Sequence, residues 1–126
     1  MEIKFEAFIK DDICQNGTRL SAVDVIDFRH KTVLLDGQQD VIDLDKVVLM
    51  QYTGLEDVTG KEIYEGDILD VGGTDYEVTY FPYKACYMLV HEVNDDMLFS
   101  FELIDEIASK SKIIRNKYEG VNNEKR

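Results

Sequence analysis

The sequence has no tryptophan, one proline and two cysteines, and each shortage removes a class of protein. With a single proline there is no polyproline segment or proline-rich linker. Cys14 and Cys86 stand far apart with no CxxC spacing. They read as two reduced thiols, not as a disulfide, a zinc site or a dithiol redox pair. No apolar run approaches the ~20 residues that span a bilayer. The N-terminal MEIKFEAFIKDD is broken by charges and lacks a signal-peptide core, so the expected setting is the cytoplasm, with no membrane partner. Histidine is also scarce. His30 lies inside a basic triplet and His91 ends an apolar strand, with no second His or Cys at ligand spacing. Both read as surface or satisfied side chains, and no metal or other cofactor is expected. P-loop, GxGxxG and GxSxG patterns are missing, and Gly72-Gly73 is followed by neither a lysine nor a helix. No catalytic residue is assigned.

Acid is what the chain has in excess, with a formal net charge of −12. Residues 1–50 carry 10 acids and 6 bases, residues 51–105 carry 13 and 2, and residues 106–126 carry 3 and 6. The middle of the chain, at −11, repels a phosphate backbone, so direct nucleic-acid binding is not expected. Its plain reading is solubility; its sharper one is a face for a basic partner.

At 126 residues with 44% apolar content, the chain is expected to fold as one domain over 1–126. A possible subdivision runs into an N-terminal β part (1–50), a barrel part (51–120) and a frayed tail (121–126). Period-two apolar patterns and turn dipeptides dominate. Glu2–Ile9 reads as a strand with Ile3, Phe5 and Ala7 on one side, followed by a turn at Gln15-Asn16-Gly17-Thr18. Ala22–Phe28 is a strand whose inward side switches between Val25 and Ile26, a sign of a bulge or of burial on both faces. Thr32–Leu35 is a short strand ending at Asp36-Gly37, and a loop leads into a strand at Val47. Ile63–Val71 forms a hairpin through Gly72-Gly73 with a strand bearing Tyr76, Val78 and Tyr80. Tyr83–His91 and Met97–Ile104 follow, then a short helix near Leu103, Glu106, Ile107 and Lys110, and a closing strand at Ile113-Ile114. These elements predict a mainly β protein, a small SH3-like barrel or a sandwich of short antiparallel strands with a short C-terminal helix.

One stretch stands apart: LMQYTGLEDVTGKEIYEGDI, Leu49 to Ile68. Its residues read as a hairpin. Gly60 suits the turn, Gly54 and Gly66 supply backbone freedom, and Tyr52, Leu55, Ile63, Tyr64 and Ile68 pack around it. Glu65-Gly66-Asp67 reads as a turn whose carboxylates accept backbone N–H groups, in preference to a catalytic pair. This segment resembles the YopX family, found in phages and integrated prophages. KFEAF at Lys4–Phe8, VDVIDF at Val23–Phe28 and IIRNKYEG at Ile113–Gly120 are similar to its flanking blocks. The last departs by carrying Arg115 where a glycine is usual and by lacking a proline soon after Tyr118. The resemblance implies a phage or prophage origin, a mostly β fold with a barrel-like portion, and self-association; it brings no activity. The expected function is therefore a non-enzymatic module that assembles with itself or binds a phage or host protein. The alternative is an acidic modulator of a nucleic-acid-binding protein, as a DNA-charge mimic or docking factor. An enzyme would require a pocket that gathers carboxylates or a histidine.

Overall fold

The computed structural model describes residues 2–10, 20–94 and 97–119. The turn expected at Gln15–Thr18, Cys14 and the tail 121–126 lie outside the described residues. The chain divides into two compact units, Glu2–Gln51 and the part from Tyr52 onward. It is mainly β, with antiparallel pairing throughout.

The N-terminal unit contains β1 (Phe5–Ile9), β2 (Leu20–Asp27), β3 (Thr32–Leu35), β4 (Ile42–Asp43) and one 3-10 turn (Leu44–Lys46). The first half of β5 (Val47–Glu56) completes it, in the order β4-β3-β2-β1-β5. Ala7, Ile9, Val33, Leu35 and Val47 form its core, with Val23, Ile26, Ile42, Leu44 and Leu49 packed against them. The side switch in β2 has a geometric cause. The register with β3 slips between Val23 and Val25, so Val23 and Ile26 both reach the core while Val25 faces water. A bulge does this by adding one residue against its partner strand. Ile3 precedes β1 and is exposed, whereas Ala7, Phe8 and Ile9 are all buried. The strand start is therefore later than alternation alone predicts, and both of its faces are covered.

The C-terminal unit holds the second half of β5, β6 (Glu62–Tyr64), β7 (Asp67–Val71), β8 (Thr74–Phe81), β9 (Cys86–Asn94) and β10 (Met97–Glu102). A one-turn helix α1 (Asp105–Ala108) and β11 (Lys112–Asn116) follow. Five of these strands make a sheet in the order β10-β9-β8-β7-β11. Gly72 and Gly73 both have positive φ, 61° and 89°, and join β7 to β8 by a two-residue turn that only such residues make without strain. Ile63, Leu69, Val78, Leu89, Leu103 and Ala108 are the core. Complete burial of a leucine such as Leu69 or Leu89 stabilises by about 1.5–3 kcal/mol.

Two expectations need correction. The SH3-like barrel does not close: β10 and β11 are the outer strands of the sheet and do not pair with each other. Two antiparallel sheets of short strands are what forms. Tyr83 is not in a strand either, because Pro82 ends the run of donors and residues 82–85 make a turn, with Ala85 at φ 52°. Cys86 is a free thiol.

Candidate functional site

The segment Leu49–Ile68 occupies β5, a loop, β6, a corner and the start of β7. Tyr52 pairs across the strands with Tyr64, and their rings lie 5.6 Å apart. The Tyr64 hydroxyl donates to Glu62 Oε1 at 3.1 Å. The register then breaks between Tyr52 and Glu56, with Gly54 at φ 90° inside the break. Thr53 Oγ1 spans the irregularity, donating to the Ile63 carbonyl at 2.9 Å and accepting from Leu55 N–H at 3.2 Å. Leu55 and Ile63 belong to the core. Gly60, at φ 87°, turns the chain.

Two aspartates of this segment reach the last strand, one at each end. Asp57 Oδ1 accepts from Thr59 N–H at 2.9 Å, the Thr59 hydroxyl at 2.7 Å and Lys61 N–H at 3.0 Å. Its Oδ2 accepts from Ile113 N–H at 3.0 Å. Beside it, Val58 N–H donates to the Ser111 carbonyl at 2.8 Å. Burial opposes the charge on Asp57, but the bonds from Ile113, Thr59 and Lys61 outweigh it and hold its pKa below the ordinary 3.8.

Asp67 sits at the other end, directly across from Asn116. Its Oδ2 accepts from Tyr64 N–H at 2.9 Å and its Oδ1 from Asn116 Nδ2 at 3.2 Å. Gly66, at φ 91°, makes the corner that lets its N–H reach the Val78 carbonyl and its own carbonyl accept from Lys117 N–H, both at 2.8 Å. Only 5% of Asp67 is exposed. Burial pushes its pKa up to about 6; the Tyr64 and Asn116 bonds and the Lys61 charge pull the other way, and the Glu119 charge adds to the rise.

A raised carboxylate pKa often marks catalysis, yet here both oxygens are committed to structural donors. Asp67 lines neither of two recesses beside the motif. One, of about 350 Å³, is bounded by Tyr52, Gly54, Leu55, Glu56, Asp57, Val58, Asp105 and Ser109. Glu56 and Asp105 bring carboxylates to it that have no partner among the described residues. The other, also about 350 Å³, includes Ile68, Asp75, Glu77, His91 and Arg115. The motif thus presents packing and backbone anchoring within, and a shallow acidic surface without.

The family model described as YopX protein matches residues 6–122. The chain belongs to the YopX family. No curated protein matches it. In this YopX chain Arg115 lies at the register break of β11, and it needs no positive φ, so the side chain is carried where a glycine was expected without backbone strain. The histidines are both engaged. His30 Nδ1 meets Asp27 Oδ2 at 2.8 Å, and His91 Nδ1 meets the Asp75 carbonyl at 2.9 Å. Among the described residues no group of three His, Cys, Asp or Glu side chains can hold a metal ion, and no helix is long and apolar enough to cross a membrane.

Sequence reasoning missed three parts of this arrangement: Asp57, Asn116 and the wholly buried Ser111. A signal for the first was present. Asp57-Val58-Thr59 is the spacing at which an aspartate caps its own turn. A further recess in the N-terminal unit, about 660 Å³ between Phe28, His30, Lys31, Asp43, Leu44 and Asp45, gathers a histidine and two carboxylates. No hydroxyl or thiol lines it, and all of its residues but Leu44 are exposed.

Proposed function

We propose that this chain is a non-enzymatic interaction module of phage or prophage origin. It works in the bacterial host cytoplasm, assembling with itself or holding a phage or host protein. The observation that carries the reading is the end of the β8–β9 hairpin. There Tyr80 and Tyr87 meet edge-on at 5.2 Å, and Phe81 stacks obliquely on Tyr83 at 5.6 Å. Tyr83 is 80% exposed, and Pro82 and Ala85 hold the turn in one shape. Rigid tyrosines of this kind are the side chains from which protein interfaces draw most of their energy. The outer edge of β10, which pairs with no second strand among the described residues, offers a further place at which a strand can add. The motif's two aspartates, spent on backbone and side-chain donors within the fold, supply a reason for its density that needs no reaction.

The test is capture from host lysate on the immobilised chain, read with the native mass of the free protein. A defined partner or oligomer lost on Tyr83→Ala is the expected result. A monomer that captures nothing at micromolar concentration overturns the reading.

A second reading, the acidic modulator of a nucleic-acid-binding protein, is favoured by Glu56 and Asp105 beside the motif, which have no partner among the described residues, in a segment of net charge −11. It requires that the captured protein be basic and be released between about 50 and 300 mM salt. Salt-insensitive capture removes it.

A further inference from the structure

We infer that the cleft between the β2–β3 turn and the 3-10 turn of the N-terminal unit receives an arginine side chain presented by a protein partner. The inference rests on the interaction-module reading and names the chemistry of what is bound. The cleft, about 660 Å³, is lined by both apolar and anionic side chains. The apolar ones are Phe28, 72% exposed on the turn, and Leu44. The anionic ones are Asp43 and Asp45, whose carboxylates form no ion pair among the described residues.

The cleft has a fixed width. Lys31 is held at φ 57°, a region L-residues rarely adopt, and its carbonyl accepts from Leu44 N–H at 2.8 Å. That bond ties one turn to the other. The strain is tolerated where the surroundings over-determine the conformation, which is common at binding sites.

The charges already present decide the sign of the ligand. His30 is occupied by Asp27, through both its ring and its backbone N–H. Lys31 lines the cleft yet pairs with neither aspartate. The Lys10 ammonium nearby donates to the Asp45 carbonyl at 2.8 Å, not to the carboxylate, and Arg29 extends the basic turn. Asp43 and Asp45, without ion pairs among the described residues, outnumber the one lysine of the lining and favour a cation over an anion. A guanidinium suits them better than an ammonium: it is planar, bonds a carboxylate with two N–H groups and stacks on a phenyl face.

The experiment titrates the full chain with a blocked Gly-Arg-Gly peptide and its lysine and citrulline counterparts, following amide NMR shifts. Shifts confined to residues 28–45 and a preference for arginine are expected. Phe28→Ala weakens binding about threefold, and Asp43→Asn and Asp45→Asn weaken it about fivefold each. Lys31→Gln strengthens it about twofold by removing a competing cation. Weaker binding in Lys31→Gln would show that Lys31 does not compete with the guanidinium and would overturn the inference. Equal binding of citrulline or lysine, or no shift at these residues, overturns it too. These positions are exposed, and an unchanged amide spectrum elsewhere checks that each variant folds. If lysate capture persists undiminished in Phe28→Ala and Asp43→Asn, the interaction-module reading stands and the cleft is ruled out as its site.

Discussion

The two ends of β11 are held by the same side-chain type under opposite conditions. At the Ile113 end, Asp57 collects four donors and is stabilised in its charged form. At the Asn116 end, Asp67 has two donors and too little compensation for burial, so its pKa rises to about 6. A buried carboxylate becomes an anchor or a liability according to how many N–H groups the surrounding backbone turns toward it. The loop Asp57–Lys61 folds around its aspartate and supplies donors locally; the tight corner at Gly66 supplies one.

The largest expected effect comes from removing the better-served end. Asp57→Ala leaves Thr59, Lys61 and Ile113 N–H groups without their acceptor and should destabilise the C-terminal unit by about 4 kcal/mol, judged from bonds to a charged group. Urea unfolding measures it, and a loss under about 1 kcal/mol would mean that the loop anchors nothing. The pH response sharpens the contrast. Asp67 binds its proton more tightly folded than unfolded between pH 3.8 and about 6. Its contribution is therefore fully present below pH 3.8 and is lost as pH rises through 6, by at most about 3 kcal/mol. Asp57 runs the other way: its stabilisation is present above pH 3.8 and fades as pH falls through its lowered pKa. Unfolding of Asp67→Asn at pH 4 and pH 7 should show the first slope flattened; an unchanged slope refutes the assignment. The smallest effect belongs to Gly60→Ala. A Cβ there meets nothing within 4 Å, so the whole cost, about 1 kcal/mol, is the φ of 87°. Thermal unfolding resolves it, and a neutral outcome would show that the loop around Asp57 relaxes freely.

Local features were legible in the sequence because their causes are local. Thr32–Leu35 with its Asp36-Gly37 stop, the start of β5 at Val47 and the Gly72-Gly73 hairpin follow from neighbouring residues alone. The irregularity of β2 showed as two valines and an isoleucine out of phase. Tyr83 was misplaced because aromatic β-propensity outweighed Pro82 on paper, whereas the backbone resolves the conflict for the proline. Closure of a barrel was not legible at all, since it depends on whether two strands distant in sequence meet. The same holds for the site. The turn role of Asp67 was read from Glu65-Gly66-Asp67, but its partner Asn116 and the reach of Asp57 to Ile113 are long-range facts with no local mark.

That reach has a consequence for the order of events. Asp57 and Val58 wait on Ile113 and Ser111, more than fifty residues downstream. A ribosome delivers the family's densest segment well before the strand it holds. In the interval the β5–β6 hairpin has one carboxylate oxygen idle and one N–H facing water, and contacts so far apart are slow to close. The C-terminal unit is thus a structure finished late, whose last strand decides whether the earlier turns were worth making.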